Sequence, residues 1–359
     1  MKYKLMTPGP TQVRENVRLA RALEYTNPDI DLEFVEYYKE TCDLISELLK
    51  TKNTAYILDG EGILGLEAAC ASMTEPGDKV LVLDNGIYGK GFADFVTMYG
   101  GQVTYYSAPY DESLTANGLR EFLKDNHDFK YATMVHCDTP SGMLNPVEEL
   151  SLVLHEYGIM TVVDSVSAMF GEPLNVDAGK IDIVCGGSQK VVSAPPGLTF
   201  VTVSNDAMNS MENRKYPIAS FYANIFVFKN YYKDKWFPYT MPISDIYGLR
   251  QALENIKADS AIFERHAKLA QLVRQELTDM GLKLYGKNGY SNTVTVFYVP
   301  EGFTSDEFLK KLLDEYGIMI AGCFDIFAGK LLRIGHMGEN ANEKDVLDTI
   351  NAIKAIIKK

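Results

Sequence analysis

Short apolar, β-branched runs alternate with amphipathic segments through the first two thirds of this chain. The runs are AYILDG, KVLVLDNG, QVTYYS, YATMVHCD, IMTVVDS, IDIVCGG and LTFVTVS. Among them lie LGLEAACASM, GKGFADFVTMYG, LTANGLREFLKDN and NPVEELSLVLHEYG, whose apolar residues recur at three and four, the helical period. The alternation predicts a largely parallel sheet with helices on both faces, because parallel neighbours need a crossover long enough to carry a helix.

From about Ser244 the texture changes. SDIYGLRQALENIKADSAIFERHAKLAQLVRQELTDMG reads as one long connecting helical pattern. After it come the strand TVTVFYVP, the helix SDEFLKKLLDEYG, the strand KLLRIGHMG and a final helix NEKDVLDTINAIKAIIKK, which predict a small α+β unit. No internal repeat or low-complexity segment interrupts the pattern.

The 359 residues are 46% hydrophobic, enough for a substantial core and two domains. Acidic residues outnumber basic ones 48 to 35, for a net charge of -13, which argues against a surface built for nucleic acid or an anionic membrane. No apolar run approaches the roughly 20 residues of a membrane span, and MKYKLMTPGPTQ turns polar too early for a signal peptide, so the cytoplasm is the expected location. Cys42, Cys70, Cys137, Cys185 and Cys323 form no CxxC pair and are expected to be reduced, packed thiols rather than disulfides or zinc ligands.

Ligands of open parallel sheets lie beyond the carboxyl ends of the strands, so the residues that follow each run carry the functional signal. Gly60, Glu61 and Gly62 open a helix, where free amides and the helix dipole could hold a phosphate, although glycine before a helix is also ordinary turn chemistry. Asp164 ends a strong strand; it is either a cap or turn residue or a carboxylate that faces a ring cation. Lys190 follows the next strand. A lysine is usually solvated, but apolar VVSAPPGLTFVTVS flanks this one, and a desolvated amine has a lowered pKa and can attack a carbonyl. A phosphate cradle, a carboxylate and an amine in one crevice together match the needs of pyridoxal 5'-phosphate.

At DSVSAMFGEPLNVDAGKIDIVCGGSQK followed by APPG, the sequence resembles the class V, fold-type I aminotransferases of the alanine–glyoxylate and serine–pyruvate group. TPGP, DNGIYGK, HCDTPSGMLNP, YTMP and LLRIGHMG extend the resemblance over essentially the whole chain. It implies an α/β large domain with a mostly parallel seven-stranded sheet over 15–243. A smaller C-terminal α+β domain would join residues 1–14 to 244–359. It also implies that Lys190 is the Schiff-base lysine and proton shuttle, and that Asp164 pairs with the pyridinium nitrogen. Tyr88 would stack on one face of the ring and Val166 would cover the other, with Thr139 near the ring and its phenolic oxygen. The amides of Glu61, Gly62 and Ile63 and the Gln189 side chain would hold the phosphate, and Thr240 would reach it from the second subunit of a homodimer. Arg333 matches the clamp for the substrate α-carboxylate, a contact that suits its planar fork.

The implied activity is transfer of an amino group from a small amino acid to a small 2-oxo acid such as glyoxylate or pyruvate, with ping-pong kinetics. The alternatives are a 2-aminoethylphosphonate–pyruvate transaminase, a cysteine desulfurase using Cys323, and a catalytically silent cofactor-binding protein. Two positions depart from the family pattern. Glu61 replaces a small hydroxyl residue, and its carboxylate would repel a phosphate, so it is expected to point away, find a cation or stay protonated. Phe237 stands where relatives can carry a phosphate-binding tyrosine.

Overall fold

The structure, a computed structural model, describes residues 3–358. All seven apolar runs form strands of one sheet: β1 Thr54–Asp59, β2 Lys79–Asp84, β3 Gln102–Ser107, β4 Tyr131–Val135, β5 Met160–Asp164, β6 Ile183–Gly187 and β7 Leu198–Val203. Their order is β1-β7-β6-β5-β4-β2-β3. β7 runs antiparallel to both of its neighbours, and the other four pairings are parallel. The intervening amphipathic segments are helices α2 Gly62–Met73, α3 Ile87–Met98, α4 Ala116–Leu123 and α5 Val147–Glu156, preceded by α1 Leu32–Leu48. Strands β4 to β7 are buried along their length apart from Met160, as expected of strands covered on both faces.

β1 is an edge strand, and its exposed ladder is closed by a side chain. Tyr38 of α1, fully buried, donates its hydroxyl to Ile57 O and accepts from Ile57 N–H, both at 2.8 Å. Phenylalanine at 38 would leave two buried backbone groups unpaired. We expect Tyr38→Phe to lower unfolding stability by about 2 kcal/mol in urea titrations; an unchanged midpoint would show that water replaces the hydroxyl.

The long pattern after Ser244 is two helices, not one: α6 Ile243–Lys257 and α7 Ile262–Asp279. Helical periodicity continues through the break, but Asp259 turns its carboxylate onto Ala261 N–H at 3.3 Å and pairs with Arg265 at 2.6 Å. A short side-chain acceptor that bonds its own backbone two residues on favours a turn over continued helix. Beyond it stand β8 Val294–Tyr298, helix α8 Ser305–Tyr316, β9 Ala321–Gly322, β10 Leu331–Gly335 and α9 Glu343–Ile357. β10 is the centre of a three-stranded antiparallel sheet between β8 and β9.

Two apolar cores result. The larger fills both faces of the seven-stranded sheet, and the second gathers Met6, Leu269, Phe297, Phe308 and Ile350. The N-terminal segment joins the second core: Lys4–Leu5 pairs with Ile318–Met319 as a parallel strand. Just beyond this strand, the carbonyl of Pro8 meets Lys190 of the large domain. Among the described residues no helix is long and apolar enough to cross a membrane, and no three His, Cys, Asp or Glu side chains cluster as a metal site.

Candidate active site

The carboxyl ends of β5 and β6 and the start of α2 line one open cleft. Nine residues singled out from the sequence line it: Glu61, Gly62, Ile63, Tyr88, Thr139, Asp164, Val166, Gln189 and Lys190. Cys137, Ser167 and Leu66, which the sequence did not flag, complete the wall.

Asp164 is the last residue of β5, and burial pushes its carboxyl up to about 7. One oxygen, Oδ1, accepts from Val166 N–H at 2.8 Å, which makes a turn and leaves Oδ2 for a ligand. Thus Asp164 has the turn role and the cleft position together. Behind it, buried His136 donates its backbone N–H to Asp164 O at 2.7 Å and bonds Ser165 Oγ through Nδ1 at 2.9 Å. Burial holds the His136 imidazole down at about 4, so it packs as a neutral ring.

Lys190 stands just beyond β6, and its amine is pulled down to about 8, first by burial and then by the Arg333 guanidinium, while Asp164 acts in the opposite direction. Its ammonium donates to Pro8 O at 2.6 Å, a contact between residues 182 positions apart. Gly9, at φ +92°, lies so close that an added Cβ would come within 2.4 Å of Lys190 Cδ. The TPGP segment is therefore a strap over the lysine, a partner that nothing in its local sequence announces.

Gly62 has a comparable reason. A Cβ there would meet Val166 Cγ1 at 2.8 Å, so only glycine lets the N-terminus of α2 press against the strand-end turn that carries Val166. Tyr88 is anchored by its own N–H, which donates to buried Asp138 Oδ1 at 2.8 Å, and its ring meets Phe324 edge-on at 6.2 Å. Burial raises the Tyr88 phenol. Thr139 is buried beside these groups.

Arg333 and Thr240 lie off this wall. Arg333, central in β10, gives Nε and Nη2 to Gly322 O at 3.0 and 2.7 Å, and Phe324 covers its guanidinium at 5.6 Å. The carbonyl fixes the fork and leaves the Nη1 edge for an anion. Thr240 donates to Asp29 Oδ2 at 3.1 Å, away from the cleft of its own chain. Phe237 is buried in an aromatic group with Tyr38 and Phe34, at 4.9 and 5.9 Å between ring centroids, where it serves the core.

Of the three options open to Glu61, to point away, find a cation or stay protonated, the structure shows neither of the first two. Its carboxylate caps α2 by accepting from Ile63 N–H at 3.1 Å and takes Gln189 Nε2–H at 2.8 Å. A capping carboxylate is favourable at a helix start, where amides and dipole are positive, and that attraction holds the side chain of this exposed residue against the first turn of α2.

A family model described as aminotransferase class-V matches residues 8–324. The chain belongs to the class-V aminotransferases. Pyridoxal 5'-phosphate is the cofactor of these enzymes, and fold-type I is their architecture. A pyridoxamine–pyruvate transaminase of Mesorhizobium japonicum is 32% identical over 355 residues, covering 97% of this chain and 90% of the relative. An alanine–glyoxylate aminotransferase of Callithrix jacchus is 30% identical over 351 residues, at 95% and 84% coverage. Among solved structures, a ureidoglycine–glyoxylate aminotransferase of Bacillus subtilis superposes with a TM-score of 0.95 at 28% identity, covering 99% of this chain and 93% of that one. The residues at the amine and carboxylate end of the cleft fit the aldehyde and ring of the class-V cofactor. The phosphate end does not fit as it stands, because Glu61 already holds Ile63 N–H and Gln189 Nε2.

Proposed function

We propose that this aminotransferase moves an amino group from a small amino acid of the alanine or serine type to a small 2-oxo acid, glyoxylate or pyruvate. The observation that carries the reading is a desolvated amine, Lys190, and a buried carboxylate, Asp164, on the wall of one cleft. When bound, the cofactor supplies a carbonyl and an electron-withdrawing ring. Lys190 carries the proton to and from the substrate Cα, a task suited to an amine brought near neutrality. Asp164 supplies the negative partner for a proton on a ring nitrogen, while Tyr88, Val166 and Thr139 fix the ring plane. Arg333 takes the substrate α-carboxylate on its open edge, oriented by the Gly322 carbonyl.

Arg333→Lys should then raise KM for alanine strongly and change kcat little, lowering kcat/KM about 10²-fold, because an ammonium cannot reproduce the fork. An unchanged KM would remove the clamp from the reading. The test of the function as a whole is a donor screen with alanine, serine and 2-aminoethylphosphonate, each followed as a half-reaction by the change in cofactor absorbance. Bleaching by alanine or serine, with parallel double-reciprocal lines when glyoxylate or pyruvate is added, is the expected result. Bleaching by the phosphonate alone would favour the phosphonate transaminase, and a silent protein would not respond at all.

A second reading, with pyridoxamine as the amino donor, as in the name of the Mesorhizobium relative, is favoured by Glu61 at the phosphate end. The same screen tests it, with pyridoxamine as a further donor and pyruvate as acceptor.

Our reading includes the two-domain division at about residue 243 and a cytoplasmic homodimer in which Thr240 reaches the partner's site. Exposed Ile30, Leu32, Tyr222 and Trp236 support the dimer, since large apolar side chains left in solvent are suited to a subunit contact. Light scattering at the mass of two chains is the expected outcome.

A further inference from the structure

Glu61 and Gln189 together make the phosphate end of the cleft a site for a hydrogen-bond donor. The two donors that an anion would use there, Ile63 N–H and Gln189 Nε2–H, are both taken by the Glu61 carboxylate, at 3.1 and 2.8 Å. The second observation is independent of the helix end. Gln189 is only 6% exposed, and its other amide atom, Oε1, is buried with no hydrogen-bond partner. Turning the amide over would not relieve this, because its oxygen would then face the carboxylate. The cleft thus offers a carboxylate and an orphaned carbonyl oxygen, both acceptors.

A buried acceptor without a partner calls for a donor, and a fixed carboxylate disfavours a second anion in the same place. A phosphate group brings negative charge and acceptor oxygens. A hydroxymethyl group brings no charge and one O–H. We propose that Glu61 and Gln189 select a pyridine ring with a free 5'-hydroxymethyl group over the same ring with a 5'-phosphate. The unphosphorylated B6 amine and aldehyde bind with Glu61 in place. The phosphorylated forms bind only after Glu61 leaves its two donors. This rests on the reading that Lys190 and Asp164 hold the pyridine ring.

The test uses the full chain, dialysed free of small molecules, and titrates pyridoxamine and pyridoxamine 5'-phosphate by calorimetry, so that no bond to Lys190 is required. The wild-type chain is expected to bind pyridoxamine at least 10-fold more tightly. Glu61→Ser, which keeps a capping hydroxyl on α2, should move the ratio at least 100-fold toward the phosphate, and Glu61→Gln should move it in the same direction by less. Melting curves of both variants check the fold. Tighter binding of the phosphate by the wild-type chain overturns the proposal, and so does a ratio that neither variant changes. If the wild-type chain binds neither compound, the ring-binding reading falls and takes the proposal with it. If only Asp164→Asn abolishes binding while Glu61 variants leave the ratio alone, the ring reading stands and the selectivity does not.

Discussion

Lys190→Ala is expected to lower kcat/KM for amino transfer at least about 10⁴-fold, because one substitution removes both the covalent anchor and the proton carrier. An amine with its ordinary pKa of 10.5 would be almost fully protonated at neutral pH. Burial and the Arg333 guanidinium bring this one down to about 8, so about half is free base at pH 8. The rate should therefore rise with pH through a limb near 8 wherever the free amine is required. Two further readouts separate a chemical role from a structural one. The variant should lose the visible band that the wild-type chain gives with added cofactor, and a small primary amine in solution should restore part of the rate. A variant that keeps both band and turnover would place the chemistry elsewhere. Removal of the side chain also frees Pro8 O and the space under Gly9, so a melting curve should accompany the kinetics.

Much of this could be read from the sequence, for reasons visible in particular residues. Buried parallel strands must be nearly continuous apolar runs, and TVVD and IVCGG announce both the strand and the place where its polar end emerges. Asp164 and Lys190 fall at such ends, so topology brings them to one cleft. The long helix after Ser244 was legible as helix but not as two helices, because Asp259 breaks it through a local hydrogen bond that leaves the period intact. The Pro8 contact was invisible, since it joins residues distant in sequence through a backbone carbonyl that any residue could supply. Glu61 shows a third limit. Charge repulsion from an expected phosphate left the side chain to point away, find a cation or stay protonated, and it took no account of the attraction of the helix amides and Gln189 for a carboxylate. The residue type was informative, and its direction had to come from competition between neighbours.

Asp164→Asn should separate function from stability in opposite directions. Loss of the negative partner is expected to lower kcat/KM about 10³-fold, the scale of a preorganised electrostatic contact. The amide still accepts from Val166 N–H through its oxygen, so the strand-end turn survives. Stability follows from the carboxyl pKa, which rises from 3.8 to about 7 on folding, chiefly through burial. A folded state with the higher pKa binds more protons than the unfolded chain between those two values, so ionisation destabilises it as pH rises through that window. The penalty is absent below pH 4 and complete above pH 7. Asparagine carries no such penalty, so the cofactor-free variant should be more stable than wild type at pH 8 by on the order of 2–4 kcal/mol, after allowance for the lost attraction to Lys190. The difference should shrink steadily toward pH 4. Denaturant titrations of both chains at pH 4, 6 and 8 measure it directly. A variant that is less stable at pH 8, or a gap that does not change with pH, would mean that Asp164 is already paired within the protein and does not wait, desolvated, for a ligand's positive charge.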